Sequence, residues 1–379
     1  MTAADMTAAR SALVVTVVHN PQDSRIRQRE ITALLAAGWH VTYAAPFSAF
    51  DQAVPTGDLT GLDLPRAVGR SRGHAWRAVR RVLREQGSRH DVVLVHDPEI
   101  LTAAVGLGLD RLIWDVHEDP AGALTVKEWM PRPLRGVGAR GWRLAERLAE
   151  RRWTLLLAEH AYQERFRREH VVVPNTVTVP DHVSEPGSGR VVYLGSVTQA
   201  RGCASLVEVA RSLTERTGGG LTLDVIGPAL DADSRRQLTE AQSQGTLRWH
   251  GFLPSDEAFA LLDGALAGLS LLRDLPNYRG SMPTKVVEYL AHGLPVVSTP
   301  LPLAVELLER SGGGVVVPFD DPVAAADAVL DLRADAARAR LMGERGHAYV
   351  ADHYDWSSQA GGFITALTSV ADRGTEPPR

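Results

Sequence analysis

Lys285 and Glu288 stand three residues apart in Gly280-Ser281-Met282-Pro283-Thr284-Lys285-Val286-Val287-Glu288-Tyr289-Leu290-Ala291-His292-Gly293-Leu294-Pro295-Val296-Val297. On a helix that spacing puts a cation and a carboxylate on one face. Pro283 or Thr284 opens the helix, Gly293 closes it in a left-handed cap, and Pro295 prevents its continuation into the Val296-Val297 strand. A helix start offers unpaired backbone N–H groups and a partial positive charge, which suit phosphate. Lys285 adds a full charge there. Glu288, one turn further in, is a carboxylate that accepts from the two hydroxyls of a ribose. Phosphate at the tip and a diol one turn down describe a nucleotide diphosphate site. The chain has two lysines, Lys127 and Lys285, against a large excess of arginine. A compact ammonium at the helix start therefore stands out from the planar forks used elsewhere.

The same stretch resembles the donor-site signature of retaining GT-B glycosyltransferases of the large family 4 group, which often read Pro-Thr-Lys, then Glu-Tyr, then Gly-Leu-Pro-Val-Val. Other segments resemble the same family. Gly195-Ser196-Val197-Thr198-Gln199-Ala200-Arg201-Gly202 follows a strand, and Arg201 fills the position of the basic residue that binds the donor diphosphate. Bidentate guanidinium–phosphate pairing makes that exchange chemically sensible. Gly251-Phe252-Leu253-Pro254 resembles the corner that lies against the nucleobase. Asn277, Tyr278, Ser281 and Met282 are candidates for phosphate or sugar contacts. Asp23-Ser24-Arg25 resembles a subgroup with Asp-x-Arg before its first helix, where Asp23 or Ser24 is an N-cap and Arg25 faces either the fold or the diphosphate. His117, in Asp115-Val116-His117-Glu118-Asp119-Pro120, matches the family histidine that faces the donor sugar. One position departs from the pattern. Many members carry a second glutamate, separated by seven intervening residues from the one matched by Glu288, and here that position is Gly280.

The resemblance implies an α/β GT-B chain, with two Rossmann-like doubly wound domains facing across a cleft and a C-terminal helix crossing back. It implies transfer of a sugar from a nucleotide-diphosphate sugar, used as co-substrate with no separate cofactor and no metal. The acceptor is a glycan, a lipid-linked molecule or a small natural product, received by the first domain. Lys285, Arg201 and His117 are then the catalytic candidates. Glu288, Ser281, Met282, Pro283, Thr284, Gly195, Ser196, Phe252, Leu253, Asn277, Tyr278 and Arg25 are the donor-binding candidates. A nucleotide-sugar epimerase and a non-catalytic sugar-nucleotide-binding partner remain alternatives. By residue type alone, Asp115, His117, Glu118 and Asp119 admit a metal reading. Alternation along a strand and the metal-independence of the class argue against it.

The elements that must position these residues follow from pattern. At 379 residues the chain calls for two cores. The expected divisions are 1–183, 184–353 and 354–379, with a polar linker at Ser184 to Gly189. Short Val/Leu-rich runs alternate with amphipathic stretches, as in a parallel sheet covered on both faces. The expected strands in the first half are 12–18, 41–45, 92–96, 112–116, 154–158 and 171–173. The expected helices are 25–37, 75–86, 99–108, 134–151 and 160–168. The second half repeats the pattern from Val191 to the final helix at Tyr354 to Val370. The formal net charge of −4 argues against a general nucleic-acid binder. The lone Cys203 excludes a disulfide framework. No run is long enough to cross a bilayer, and a cytoplasmic setting is expected. Two arginine-rich stretches, 70–86 and 132–152, suggest peripheral contact with an anionic membrane. The segment 121–135 is the expected acceptor-facing loop.

Overall fold

The computed structural model describes residues 9–117, 119–121 and 132–373. Most of the loop at 121–135, with Lys127 and Trp129, and the tail from Gly374 onward lie outside the described residues. The chain's contacts divide it into two units, Met1–Pro174 with Ser357–Arg379, and Asn175–Trp356. The division falls before the polar linker at 184–189 for a local reason. The Val177 N–H donates to Tyr354 O at 3.0 Å and the Trp356 N–H donates to Val177 O at 2.7 Å, so Val177 already belongs to the second unit. The last helix, Trp356–Asp372, counts with the first unit, where Asp372 pairs with Arg10 at 2.9 Å.

The first unit holds β1 (Ser11–Val15), β2 (His40–Ala45), β3 (Leu59–Asp63), β4 (Val92–Val95), β5 (Leu112–Val116), β6 (Thr154–Leu157) and β7 (Val171–Val172). The second holds β8 (Arg190–Leu194), β9 (Thr222–Ile226), β10 (Leu247–Gly251), β11 (Ala267–Ser270), β12 (Val296–Ser298) and β13 (Gly314–Val316). The orders are β3-β2-β1-β4-β5-β6-β7 and β10-β9-β8-β11-β12-β13. Neighbouring strands run parallel throughout. Both sheets are doubly wound, and each reverses its strand order beside its first strand, at β1/β4 and at β8/β11. In such sheets ligands sit beyond the carboxyl ends of the strands at the reversal.

β4 and β5 are buried at every position, which is why they read as apolar runs, broken only by Asp115 in β5. The strands that the pattern misses are β3 and β13, both at sheet edges. With one side open, β3 needs no continuous apolar run, and β13 is only three residues long. Leu-Thr-Gly-Leu-Asp in β3 is buried only at Leu59. Residues 160–168 are not an α-helix but a 3-10 run, His160–Arg165. The helix expected over 25–37 begins as a wide π-type run, Ser24–Ile31, before continuing as Thr32–Ala36.

The stretch 70–86 forms the helix Arg72–Gln86, whose Ala75, Val79 and Leu83 are buried in the core. Its stripe is a packing face, and Trp76 alone of that stripe is partly exposed, at 37%. This corrects the expectation of a membrane face there. Among the described residues no helix is long and apolar enough to cross a membrane.

Candidate functional site

At the second reversal the sheet splits. β8 and β11 pair at Val191–Ala267 and Val192–Gly268, and beyond these two rungs the strands diverge. Tyr289 fills the gap. Its ring lies over Gly268, where an added Cβ would sit 2.3 Å from it. Its hydroxyl accepts from the Leu194 N–H at 2.6 Å and donates to Leu269 O at 3.2 Å. One side chain therefore satisfies two backbone groups that the split leaves unpaired. The sequence reading gave Tyr289 no role.

Above that hydroxyl is a cavity of about 250 Å³, walled by Leu194, Gly195 and Arg201 from the first loop and Leu272 and Tyr278 from the segment after β11. Ser281, Met282, Pro283, Thr284, Lys285 and Glu288 complete it. The helix Thr284–Ala291 aims its start here, with Pro283 as an N-cap that supplies no side-chain hydrogen bond. Its far end closes as expected, with Gly293 at φ +70 and the Leu294 N–H donating to Tyr289 O at 2.9 Å.

Lys285 is 8% exposed. Its Nζ lies 3.5 Å from the centroid of the Tyr193 ring and has no hydrogen-bond partner. Burial, reinforced by the neighbouring Arg201 charge, pushes the amine well below the usual lysine range, and Glu288 opposes this. Gly195, at φ +110, passes so close that a Cβ there would meet Nζ at 3.6 Å. Gly202, at φ +86, presses against the end of β11, and its Cβ would fall 2.0 Å from Leu271 O. The loop Gly195–Gly202 is thus clamped at both ends, with half-buried Arg201 between.

Residues 188–335 match the family model described as Glycosyl transferases group 1. The matched stretch lies within the second unit. The amylovoran biosynthesis glycosyltransferase AmsK of Erwinia amylovora is 29% identical to it over 147 residues, 38% of this chain and 35% of that protein. The chain thus matches about a third of that relative's length. Sucrose-phosphate synthase (tll1590) from Thermosynechococcus elongatus superposes with a TM-score of 0.74 at 16% identity, covering 96% of this chain and 99% of that one. Anabaena Alr3699/HepE, solved with UDP and glucose, superposes with a TM-score of 0.71 at 15% identity, covering 95% and 100%. These likenesses give the fold, two Rossmann-like domains of the GT-B type.

Several expected donor residues lie off this cavity's wall. Ser196 contributes its carbonyl, which accepts from the Tyr193 hydroxyl at 3.0 Å. Asn277 leaves its Oδ1 buried without a partner. Phe252 is 52% exposed, and Leu253 packs against the apolar cluster around Val286 and Leu290. Leu194 and Leu272 were not anticipated, although both follow from lying at the carboxyl ends of the diverging strands.

The reversal in the first unit gathers a second set of charged groups. Asp23 is the N-cap, its carboxylate accepting from the Arg25 and Ile26 N–H groups at 2.9 and 3.1 Å. Of the two options for Arg25, the structure shows its guanidinium turned into the fold. It donates to Asp115 at 2.8 Å through Nε and 2.6 Å through Nη2, and lies 3.2 Å from Glu30. His117 Nδ1 donates to the same Asp115 carboxylate at 2.9 Å. His117 Nε2 lies 3.1 Å from His19 Nε2. Burial works against ionisation of Asp115, but Arg25 and the two imidazoles hold its carboxyl well below the usual range. Glu30 goes the other way, pushed up to about 8 by burial and by the Asp115 charge.

His96, Asp115 and His117 bring one ligand atom each within 4.8 Å of one another, the composition a metal site needs. The shared carboxylate is nevertheless saturated by Arg25 and by imidazole donors, and a second cation would repel the guanidinium. Of the other residues with a metal reading, Asp119 pairs instead with Arg143 at 2.8 Å, and Glu118 lies outside the described residues. The donor set fits a hydrogen-bonded network around one carboxylate better than an ion.

Proposed function

We propose that the chain is a retaining, metal-independent glycosyltransferase that moves a sugar from a nucleotide-diphosphate sugar to an acceptor hydroxyl. The observation that carries this is the buried Lys285 amine without a hydrogen-bond partner, in one cavity with Arg201 and Glu288. A buried cation left unpaired is costly, and a diphosphate supplies what it lacks. In this reading Lys285, Arg201 and the uncapped helix start bind the diphosphate, while Glu288 accepts from the ribose hydroxyls. Tyr278, Ser281 and Met282 line the way to the sugar. As the anomeric C–O bond to phosphate breaks, negative charge grows on the leaving oxygen, and these groups stabilise it there. The acceptor oxygen bonds to the anomeric carbon from the same face, and its proton passes to the leaving diphosphate. His117, held by Asp115 in the tautomer with hydrogen on Nδ1, is the catalytic candidate of the first unit.

The test is a thermal-shift and hydrolysis screen of the purified protein with UDP-, GDP-, ADP- and TDP-sugars. One nucleotide series should raise the melting temperature and be slowly hydrolysed. Absence of any nucleotide-dependent shift would overturn the donor site.

A further inference from the structure

The helix Arg132–Arg152 wears its apolar stripe on the outside. Val137, Leu144 and Leu148 are 64%, 58% and 54% exposed, and their spacing places them on one face. Each is followed three residues later by an arginine, Arg140, Arg147 and Arg151, all exposed. None of the three makes an ion pair among the described residues. The helix's acids are turned inward instead. Glu146 is taken by Arg143 and Arg165. Glu150 accepts from the Arg167 and Arg168 N–H groups at 2.8 and 2.7 Å. The outer face is therefore apolar and cationic with its negative charges removed, the reverse of the Arg72–Gln86 helix, whose stripe is core.

Beside this stripe, and sharing Leu148 with it, a cavity of about 320 Å³ opens between the helix and Pro98–Ala104. Trp114, Trp142, Trp153 and exposed Val105 form much of its wall. The indole N–H groups of Trp114 and Trp142 have no acceptor. An apolar slot of this size suits an alkyl chain.

We propose that the outer face of Arg132–Arg152 docks on an anionic lipid bilayer, and that the tryptophan-walled cavity takes one lipid acyl chain. Val137, Leu144 and Leu148 enter the headgroup boundary while Arg140, Arg147 and Arg151 pair with lipid phosphates. A partly buried amphipathic helix of this composition binds by apolar area plus charge.

The test is co-sedimentation of the full chain, without nucleotide, with equimolar phosphatidylglycerol–phosphatidylcholine vesicles and with pure phosphatidylcholine vesicles. The protein should pellet with the anionic vesicles and be released by salt. Replacing Arg147→Gln with Arg151→Gln should lower partitioning roughly 30-fold, at about tenfold per 1.4 kcal/mol. The charge-neutral pair Leu144→Ser and Leu148→Ser should also weaken it, with an unchanged melting temperature, since both side chains point outward. Acyl chains brominated at mid-length should quench tryptophan emission, and Trp142→Phe should reduce the quenching. Equal binding to both vesicle types, or none to the anionic ones at low salt, would overturn the proposal. So would a dimer that the Leu→Ser pair dissociates, which assigns the face to a second copy. Sedimentation without quenching would remove the cavity from it. Because nucleotide is absent throughout, failure here leaves the donor site untouched.

Discussion

Replacing Lys285 with methionine should push stability and nucleotide affinity in opposite directions. The side chain is 8% exposed with no partner for Nζ. Methionine keeps the length and apolar stem while removing a buried polar group that costs on the order of 1–3 kcal/mol to leave unsatisfied. The cation–π contact with Tyr193 offsets part of this while the amine is charged, by about 0.5–2 kcal/mol. The net expectation for the free protein is a gain of about 1 kcal/mol. A unit of 150–250 residues converts that into roughly 2–4 °C in Tm, and Asn175–Trp356 falls in that range. Nucleotide diphosphate binding should instead lose a charge-assisted hydrogen bond, about 1.5–3 kcal/mol or roughly 10- to 150-fold in Kd. Scanning calorimetry and titration calorimetry read the two effects on one preparation. The same residue sets a pH dependence. Its free-state pKa is lowered by burial and by Arg201, and an arriving diphosphate raises it again. Between those two values binding takes up a proton, so affinity should fall by up to about tenfold per pH unit as pH rises. Titrations in buffers of different ionisation enthalpy should show the uptake, and Lys285→Met should abolish it. A variant that is less stable than the parent, or that binds nucleotide equally well, would refute the argument.

Glu288→Ala should raise the donor KM with a smaller change in kcat, because a ribose contact is made equally in ground and transition states; steady-state kinetics with donor varied decides this. In the first unit, Asp115→Asn should destabilise by about 3–5 kcal/mol, since it strips the buried Arg25 of its main counter-charge. Glu30→Gln should cost under about 1 kcal/mol, because the folded acid already holds its proton up to about pH 8. The sign follows from the raised folded pKa. The parent loses stability as pH climbs from about 4.3 through about 8, and Glu30→Gln should flatten that slope in urea melts. Gly202→Ala should cost on the order of 3–5 kcal/mol through its positive φ and the overlap with Leu271 O. Gly280→Ala, with ordinary φ −101 and nothing within 4 Å of an added Cβ, should be within about 0.5 kcal/mol of the parent or slightly stabilising.

Much of the fold was legible because parallel strands buried on both faces are largely apolar: β4 is so throughout, and β5 is except for Asp115. The edge strand β3 escapes that rule. The helix Thr284–Ala291 and its closing turn at Gly293 were legible to within a residue or two, because caps and stops are written locally. The gaps lie where two distant segments share one task. Tyr289 looks like any buried aromatic in sequence, and its work depends on β8 and β11 parting above Val192 and Gly268. Leu194 and Leu272 enter the cavity for the same reason. The stripe at Val137, Leu144 and Leu148 has helical period whether it faces the core or the solvent, and the period alone does not say which. The similar-looking helix at 72–86 took the opposite option.

Arg25 and Lys285 mark where spacing stops and solvation decides. Both are cations beside a strand reversal, and both were read toward a diphosphate. Each is nearly withdrawn from water, at 5% and 8% exposure, so each needs a negative partner. Arg25 finds one within the protein in Asp115, at a separation of ninety residues, and its charge is answered before any ligand arrives. Lys285 has Arg201, a like charge, and only a weaker pull from Glu288. The fold retains a buried amine that its own carboxylates do not neutralise. A buried cation with a bidentate carboxylate is explained by folding alone, whereas one without a partner is explained by what binds. On that criterion we propose the second reversal, and not the first, as the anion site.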